Sequence, residues 1–271
     1  MYLEYYGLKQ APFDITPNPR FLFHSTKHRE AFNHMLYGIR ERKGFVQLTG
    51  EIGAGKTTLC RALLEQLDSN FSTALILNPV LNADELMKAI ATEFGLNVKG
   101  RDRLETISTI GEFLLKQTEQ AKETVLIIDE AQNLTEELLE QVRLLSNIET
   151  DDRKLLQIVV MGQPELRDRL NSPRLKQLRQ RITVRFHLAP LTRVEVAQYI
   201  QHRLQVSGAR GIPVFTAPAV WRVFNYSGGI PRLVNAVCDK ALLASFVARS
   251  DRITYSMVGR AIRELEGDIY A

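Results

Sequence analysis

Gly50-Glu51-Ile52-Gly53-Ala54-Gly55-Lys56-Thr57 lies between an apolar run and an amphipathic one. The run before it, Gly44 to Thr49, carries Phe45-Val46-Gln47-Leu48, the β-branched and aromatic content of a short buried strand. The stretch after it, Lys56-Thr57-Thr58-Leu59-Cys60-Arg61-Ala62-Leu63-Leu64, opens a helix. The chain must turn between them, and Gly50, Gly53 and Gly55 can take positive φ and let backbone N–H groups converge on oxygen atoms with no Cβ in the way. The N–H groups and dipole of a helix start favour a di- or triphosphate there. The stretch therefore reads as a phosphate cradle. Its candidate ligand-binding residues are Gly50, Glu51, Ile52, Gly53, Ala54, Gly55, Lys56, Thr57 and Thr58, with Lys56 reaching the β- and γ-phosphates and the Thr57 hydroxyl holding Mg²⁺.

The remaining composition limits the alternatives. At 271 residues, 45% hydrophobic and 24% charged, the chain can bury one large core or two modest ones, and disorder is excluded. A net charge of +4 and a pI near 9.1 permit contact with nucleic acid or anionic lipid without requiring it. Cys60 and Cys238 have no paired spacing and read as reduced, buried thiols of a cytoplasmic protein rather than a disulfide or metal site. The N-terminus lacks a basic region followed by an apolar core, and no run approaches the ~18 apolar residues of a membrane span.

Residues 1–26 carry Gly7, Pro12, Pro17 and Pro19 among Tyr5, Tyr6, Leu8, Phe13, Phe21 and Phe23, which predicts an extended, aromatic-rich strap. Such a strap either covers a core or walls the adenine of a nucleotide. Lys27 to Arg42 follows as an amphipathic helix, with His28 and His34 read as surface or second-shell residues because no carboxylate or cysteine accompanies them. Thr73 to Leu77 predicts a second buried strand, Asn82 to Glu85 a capping box opening a helix toward Phe94, and 104–121 another helix.

Thr124-Val125-Leu126-Ile127-Ile128-Asp129-Glu130 is the second informative stretch. A strand apolar on both faces belongs inside a parallel sheet, and ligands of open α/β sheets gather at the carboxyl ends of strands. Asp129 is thereby placed to serve the Mg²⁺ shell, and the adjacent Glu130 to polarise an attacking water. An acidic helix over 134–148 leads to a fourth strand, Leu155 to Met161, which places Gln163 near the γ-phosphate. From Arg167 to Arg185 the chain is strongly basic. Arg167, Arg169 and Arg174 read as a solvated helix face, whereas Arg179 and Arg181, just before the strand Ile182 to Leu188, suit donors to a neighbouring subunit's γ-phosphate. After Pro190 the pattern is helical, over 194–206, 218–226, 232–247 and 256–265. Gly228-Gly229-Ile230-Pro231-Arg232 stops one helix and starts the next, with Arg232 able to swing onto bound phosphate.

With the glycine loop, the Asp-Glu strand, Gln163, the arginine pair and Arg232 in that order, the chain resembles the AAA+ ATPases, and within them the general secretion pathway protein A (ExeA-type) branch. Tyr6-Gly7-Leu8, Pro12-Phe13, Pro17, the segment from Phe21 to His28 and Gly44-Phe45 carry the second, narrower likeness. The resemblance implies Gly50 to Thr57 as Walker A, Asp129 and Glu130 as Walker B, Gln163 as first sensor, Arg232 as second sensor and Arg179 or Arg181 as arginine finger. It implies a P-loop five-stranded parallel sheet flanked by helices over 27–189, followed by an all-helical lid over 190–271. It further implies ATP and Mg²⁺ as cofactors, a homo-oligomeric ring or filament, and a secretion-system or inner-membrane partner in pilus, exopolysaccharide or type II secretion-like export. The implied location is cytoplasmic, at the inner-membrane face if the chain is part of a longer protein. Related family members deliver transposases to DNA, and the basic stretch keeps an ATP-dependent, DNA-binding transposition targeting factor as the alternative. A replication initiator is disfavoured because no winged-helix-sized region follows the lid. A small-molecule kinase is disfavoured by the adjacent acids and paired arginines, which suit water as acceptor.

Overall fold

The computed structural model describes residues 1–150 and 153–267, so the last four positions of the expected lid lie outside the described residues. Helices α1 (Tyr2–Tyr5) and α2 (Thr26–Arg40) precede strand β1 (Phe45–Gly50), helix α3 (Lys56–Gln66) and strand β2 (Phe71–Ile76). Helices α4 (Ala83–Glu93) and α5 (Arg103–Glu119) lead to β3 (Glu123–Ile128), α6 (Glu136–Leu145) and β4 (Leu156–Gly162). Helices α7 (Pro164–Leu170) and α8 (Lys176–Arg181) precede β5 (Ile182–Leu188). Beyond it come α9 (Arg193–Val206), β6 (Val214–Phe215), α10 (Ala217–Ser227), α11 (Pro231–Val247), β7 (Arg252–Ile253) and α12 (Tyr255–Glu266).

The chain forms two compact units. One comprises residues 29–50 and 60–188. Its sheet is parallel with strand order β2-β3-β4-β1-β5. Val125 to Ile128 are fully buried, which agrees with their apolar run and contributes on the order of 1.5–3 kcal/mol per side chain. At the edge of the sheet β2 is only half-buried and Leu77 lies exposed beyond its end, so the expectation of a second buried strand holds only in part. An edge strand has one ladder neighbour and less helix cover. Local signals set the helix starts: Asn82 with Glu85, and Asp102 with Glu105, form reciprocal capping boxes, each cap worth about 1 kcal/mol. The acidic helix is shorter than 134–148 because Leu134 belongs to the preceding turn and Thr135 is the N-cap.

The other unit gathers residues 1–28, 51–59 and 189–271. Helices α9 to α12 share one core with Tyr6, Leu8 and Phe13 of the strap. The strap is less extended than expected, since α1 and a 3₁₀ turn at Pro19–Phe21 shorten it. It is tied down by Arg203, which is 6% exposed. That guanidinium lies over the Phe21 ring, donates to the Pro12 carbonyl, and reaches the Asp14 carbonyl at 3.0 Å and the Tyr199 hydroxyl at 2.8 Å. A cation so buried persists because oxygen acceptors surround it. Thr192 and Glu195 form the third capping box, at the start of α9. One feature of the region was not expected: β6 and β7 pair as a two-residue parallel ladder within otherwise helical structure. Among the described residues no helix is long and apolar enough to cross a membrane.

Gly38 shows how closely α2 lies on the sheet, because a Cβ there would collide with Val46 Cγ2. Gly38→Ala is expected to destabilise the protein by about 1–3 kcal/mol. Urea denaturation checks this, and Val46→Ala in the same chain should recover part of the loss.

Candidate functional site

The sheet's carboxyl edge collects the acids. In the ladder Thr49 pairs with Gly162 and Ile128 with Val160, so the residues following β3 and β4 emerge beside the end of β1. Asp129 is 2% exposed, its N–H donates to the Ile76 carbonyl at 2.9 Å, and its Oδ1 accepts the Glu130 N–H at 2.9 Å. Glu130 sits at φ 52°, a left-handed backbone that costs about 1 kcal/mol and turns the chain sharply off the strand. Its Oε2 accepts Gln163 Nε2 at 3.1 Å and Gln132 Nε2 at 2.6 Å. Gln132 Oε1 in turn accepts the Gln163 N–H at 3.1 Å. The Glu130 carboxylate is thus held by two side-chain amides, one of which is itself held by the backbone N–H of the other glutamine. Gly162 leaves room for this, since a Cβ there would lie 2.6 Å from Gln132 Oε1. Gln132 was not anticipated; its signal is a polar residue two positions after the acid, between buried Ala131 and Leu134.

From Glu51 onward the glycine loop belongs to the unit that contains 189–271. Gly53 and Gly55 have φ of 78° and 99°, as the reading of the loop requires. Within the loop the Glu51 carbonyl accepts the Ala54 N–H and Lys56 Nζ, each at 3.1 Å, and Lys56 is 5% exposed. The first bond of α3 runs from Leu59 N–H to the Gly55 carbonyl at 2.9 Å, so the helix begins directly after the glycines, as the sequence reading expects. Arg232, at the start of α11 behind Pro231, donates its backbone N–H to the Gly53 carbonyl at 3.2 Å. A Cβ on Gly53 would collide with the Arg232 side chain. The structure therefore brings Arg232 against the loop.

Of the two readings of His28 the surface one fails and the other, a place behind the site, agrees with the structure: it is 4% exposed and its Nε2 lies 3.1 Å from the Ala54 carbonyl. His34 is exposed, as expected. Burial holds the His28 imidazole below its usual range, against the opposing effects of its bond to Ala54 and of Glu195, with His24 adding a small push in the same direction as burial. Glu195 also caps α9 and accepts the Thr26 N–H at 3.2 Å.

Of the basic residues, Arg174 is exposed, but Arg169 is half-buried and donates to the Leu134 carbonyl, so its solvated reading fails. Arg181 donates to Ser146 Oγ at 2.7 Å. Arg179 and Arg185, with Gln180, Ile182 and Thr183, line an open pocket of about 500 Å³. Both cysteines are free and buried; burial and then the Asp129 carboxylate push the Cys60 thiol up to about 12, which keeps it unreactive. Among the described residues no group of three or more His, Cys, Asp or Glu side chains is placed to hold a metal ion.

The sign of the His28 effect is definite. A histidine whose folded pKa lies below the ordinary 6.5 contributes fully above pH 6.5, and its contribution is lost as pH falls through the folded value. Stability should fall with acidification below pH 6.5. Urea midpoints across that range should show His28→Gln flattening the fall.

Residues 39–170 match the family described as the AAA domain. Over 98% of its length the chain is 46% identical to general secretion pathway protein A of Aeromonas hydrophila, and it spans 49% of that relative. A shorter likeness, 30% identity over 38% of this chain and 24% of the relative, is to the ATP-dependent DNA helicase dda of Enterobacteria phage T4. Among solved structures, Cdc6p from Pyrobaculum aerophilum superposes with TM-score 0.71 at 17% identity, over 93% of this chain and 70% of that one. The Thermotoga maritima RuvB branch migration motor does so with TM-score 0.59 at 20% identity, over 88% and 68%. At such identities these structures establish the fold, the AAA+ P-loop arrangement. The chain spans about half the length of the secretion relative.

Proposed function

We propose, from the premise that the chain carries an AAA domain and is a homologue of general secretion pathway protein A, that it hydrolyses ATP between copies of itself in a ring or filament. The cycle drives or regulates assembly of a bacterial envelope secretion system, of the type II secretion-like, pilus or exopolysaccharide export kind. The observation that carries the chemical part is the Glu130 carboxylate, clamped by Gln132 and Gln163 at the carboxyl edge of the sheet. The same reading divides the chain into a strap over 1–26, a nucleotide-binding domain over 27–189 and a lid over 190–271.

The residues fit the group they would hold. Glycines without Cβ, a buried lysine and a helix start suit a triphosphate, and the Thr57 hydroxyl and the buried Asp129 carboxylate are the hard oxygen donors that Mg²⁺ takes. When bound, the ion neutralises charge on the β- and γ-phosphate oxygens. Backbone N–H groups of the glycine loop, other than that of Ala54, which the Glu51 carbonyl takes, orient the phosphates, and Lys56 stabilises the charge that develops on them. Glu130 accepts a proton from the attacking water, and Gln163 holds both that carboxylate and the water in line. Arg232 reaches phosphate from the lid. For the finger, Arg179 suits better than Arg181, because it lines an open pocket whereas Arg181 is engaged with Ser146.

The alternative, an ATP-dependent DNA-binding targeting factor, is favoured by the exposed Arg185 and by Arg179 at that same pocket. Phosphate-driven DNA binding must weaken steeply with salt, so retention of duplex DNA at low salt with ATP separates the two readings. We expect none.

Glu130→Gln should lower turnover by about 10²–10⁴-fold while ATP stays bound and oligomers persist. Steady-state hydrolysis and size-exclusion chromatography with ATP check this, and unchanged turnover would remove Glu130 as the base. Arg179→Ala should lower turnover with little change in ATP affinity. Mixing the Arg179→Ala and Glu130→Gln proteins should restore part of the activity, because one interface type then pairs an intact Glu130 with an intact Arg179. Additive loss without restoration would exclude a finger in trans.

A further inference from the structure

We propose that His28 is a positioning residue for the phosphate loop: by holding the Ala54 carbonyl it fixes the direction of the Gly55 N–H that meets phosphate. The proposal rests on reading the loop as a nucleotide site, and assigns it a support outside the motif itself.

A carbonyl oxygen only accepts, so at 3.1 Å from the Ala54 oxygen His28 Nε2 carries the proton. Nδ1 is then the acceptor for the Ser25 hydroxyl at 2.8 Å, and Ser25 Oγ accepts the His28 N–H at 3.2 Å. Ser25 is itself 3% exposed. One serine therefore fixes both the tautomer and the ring orientation. The backbone just ahead is held as well, by the Thr26 N–H donating to Glu195.

A trans peptide is planar, and its C=O and N–H point in opposite directions. Fixing the Ala54 carbonyl toward His28 therefore aims the Gly55 N–H away from His28. The neighbouring peptide shows the same coupling: the Gly53 carbonyl accepts the Arg232 N–H at 3.2 Å, and the Ala54 N–H of that unit turns the other way, onto the Glu51 carbonyl at 3.1 Å. Two successive loop peptides are thus each pinned by a donor from outside the loop. Gly55 carries a further mark of the contact, since a Cβ there would lie 3.2 Å from His28 Nε2, in a backbone at φ 99°. A histidine serving packing alone needs no such alignment with one loop carbonyl and a serine behind it.

The test uses the full chain and Mg²⁺-ATP. His28→Ala opens a cavity, so the decisive pair is His28→Gln, whose amide nitrogen reaches the Nε2 position, and His28→Asn, whose amide is one methylene short. Both lose the ring. The wild type should bind ATP, His28→Gln should bind within about threefold of it, and His28→Asn and His28→Ala should bind about tenfold or more weakly, the scale of one hydrogen bond to a charged group. KM should rise more than kcat falls. Equal ATP affinity in the Gln and Asn variants, with the wild type binding, would overturn the positioning role and leave the nucleotide site standing. Failure of the wild type to bind ATP would overturn the nucleotide reading and the role of His28 together.

Discussion

The planarity of the peptide group is the constraint on which the candidate site depends. A glycine loop presents N–H groups to an anion only if the carbonyls on the far side of the same peptides have partners of their own. Here the Ala54 carbonyl receives its partner from His28, which leaves the Gly55 N–H turned away from it, while the Gly53 carbonyl takes the Arg232 N–H and the Glu51 carbonyl takes the Ala54 N–H and Lys56. Left-handed backbone at Gly53 and Gly55 makes this possible without strain, since only glycine takes it at no steric cost. The cradle is therefore shaped as much by what stands behind the loop as by the glycines.

A similar logic governs the sheet edge. Val125 to Ile128 bury completely, and the chain leaves the sheet through a buried aspartate and a glutamate in a left-handed conformation. Neither feature is favourable in isolation. Charge-assisted bonds offset them: the Glu130 N–H to Asp129, and two side-chain amides to the Glu130 carboxylate. Because the Gln132 oxygen also takes the Gln163 backbone N–H, a change at Gln132 removes two bonds of this network, whereas a change of the Gln163 side chain removes one.

Most of the fold was legible because its signals are local. The apolar runs of β1, β3 and β4, the Asn82 capping box and the Gly228-to-Pro231 junction each specify their element within a few residues. What escaped the sequence is what depends on long-range neighbours. The exposure of β2 follows from its place at the sheet edge, and the β6–β7 ladder from a pairing across the whole of α10 and α11. His28 carries no metal or catalytic spacing, so nothing within the helix marks it; its partner lies 26 residues away. Gln132 had a weak signal, two residues from the acid, and Arg169 looked solvated because a run of arginines hides the one that bonds inward.

The unit formed by strap, loop and residues 189–271 has a consequence for how the parts can act. Arg203 fastens the strap to α9 through carbonyls at Pro12 and Asp14, and Glu195 of the same helix takes the Thr26 N–H two residues before His28. From His28 the connection continues to Ala54, and from α11 a separate one runs through Arg232 to Gly53. Both routes end on peptides of the glycine loop. A displacement of α9 or α11 must either carry those peptides with it or break a hydrogen bond at a buried or half-buried carbonyl, which costs about 1–3 kcal/mol. Carrying them is the cheaper course wherever the loop can follow. The helices of residues 189–271 and the loop amides are in that sense one mechanical element, joined by a histidine that lies outside the loop's own stretch of sequence.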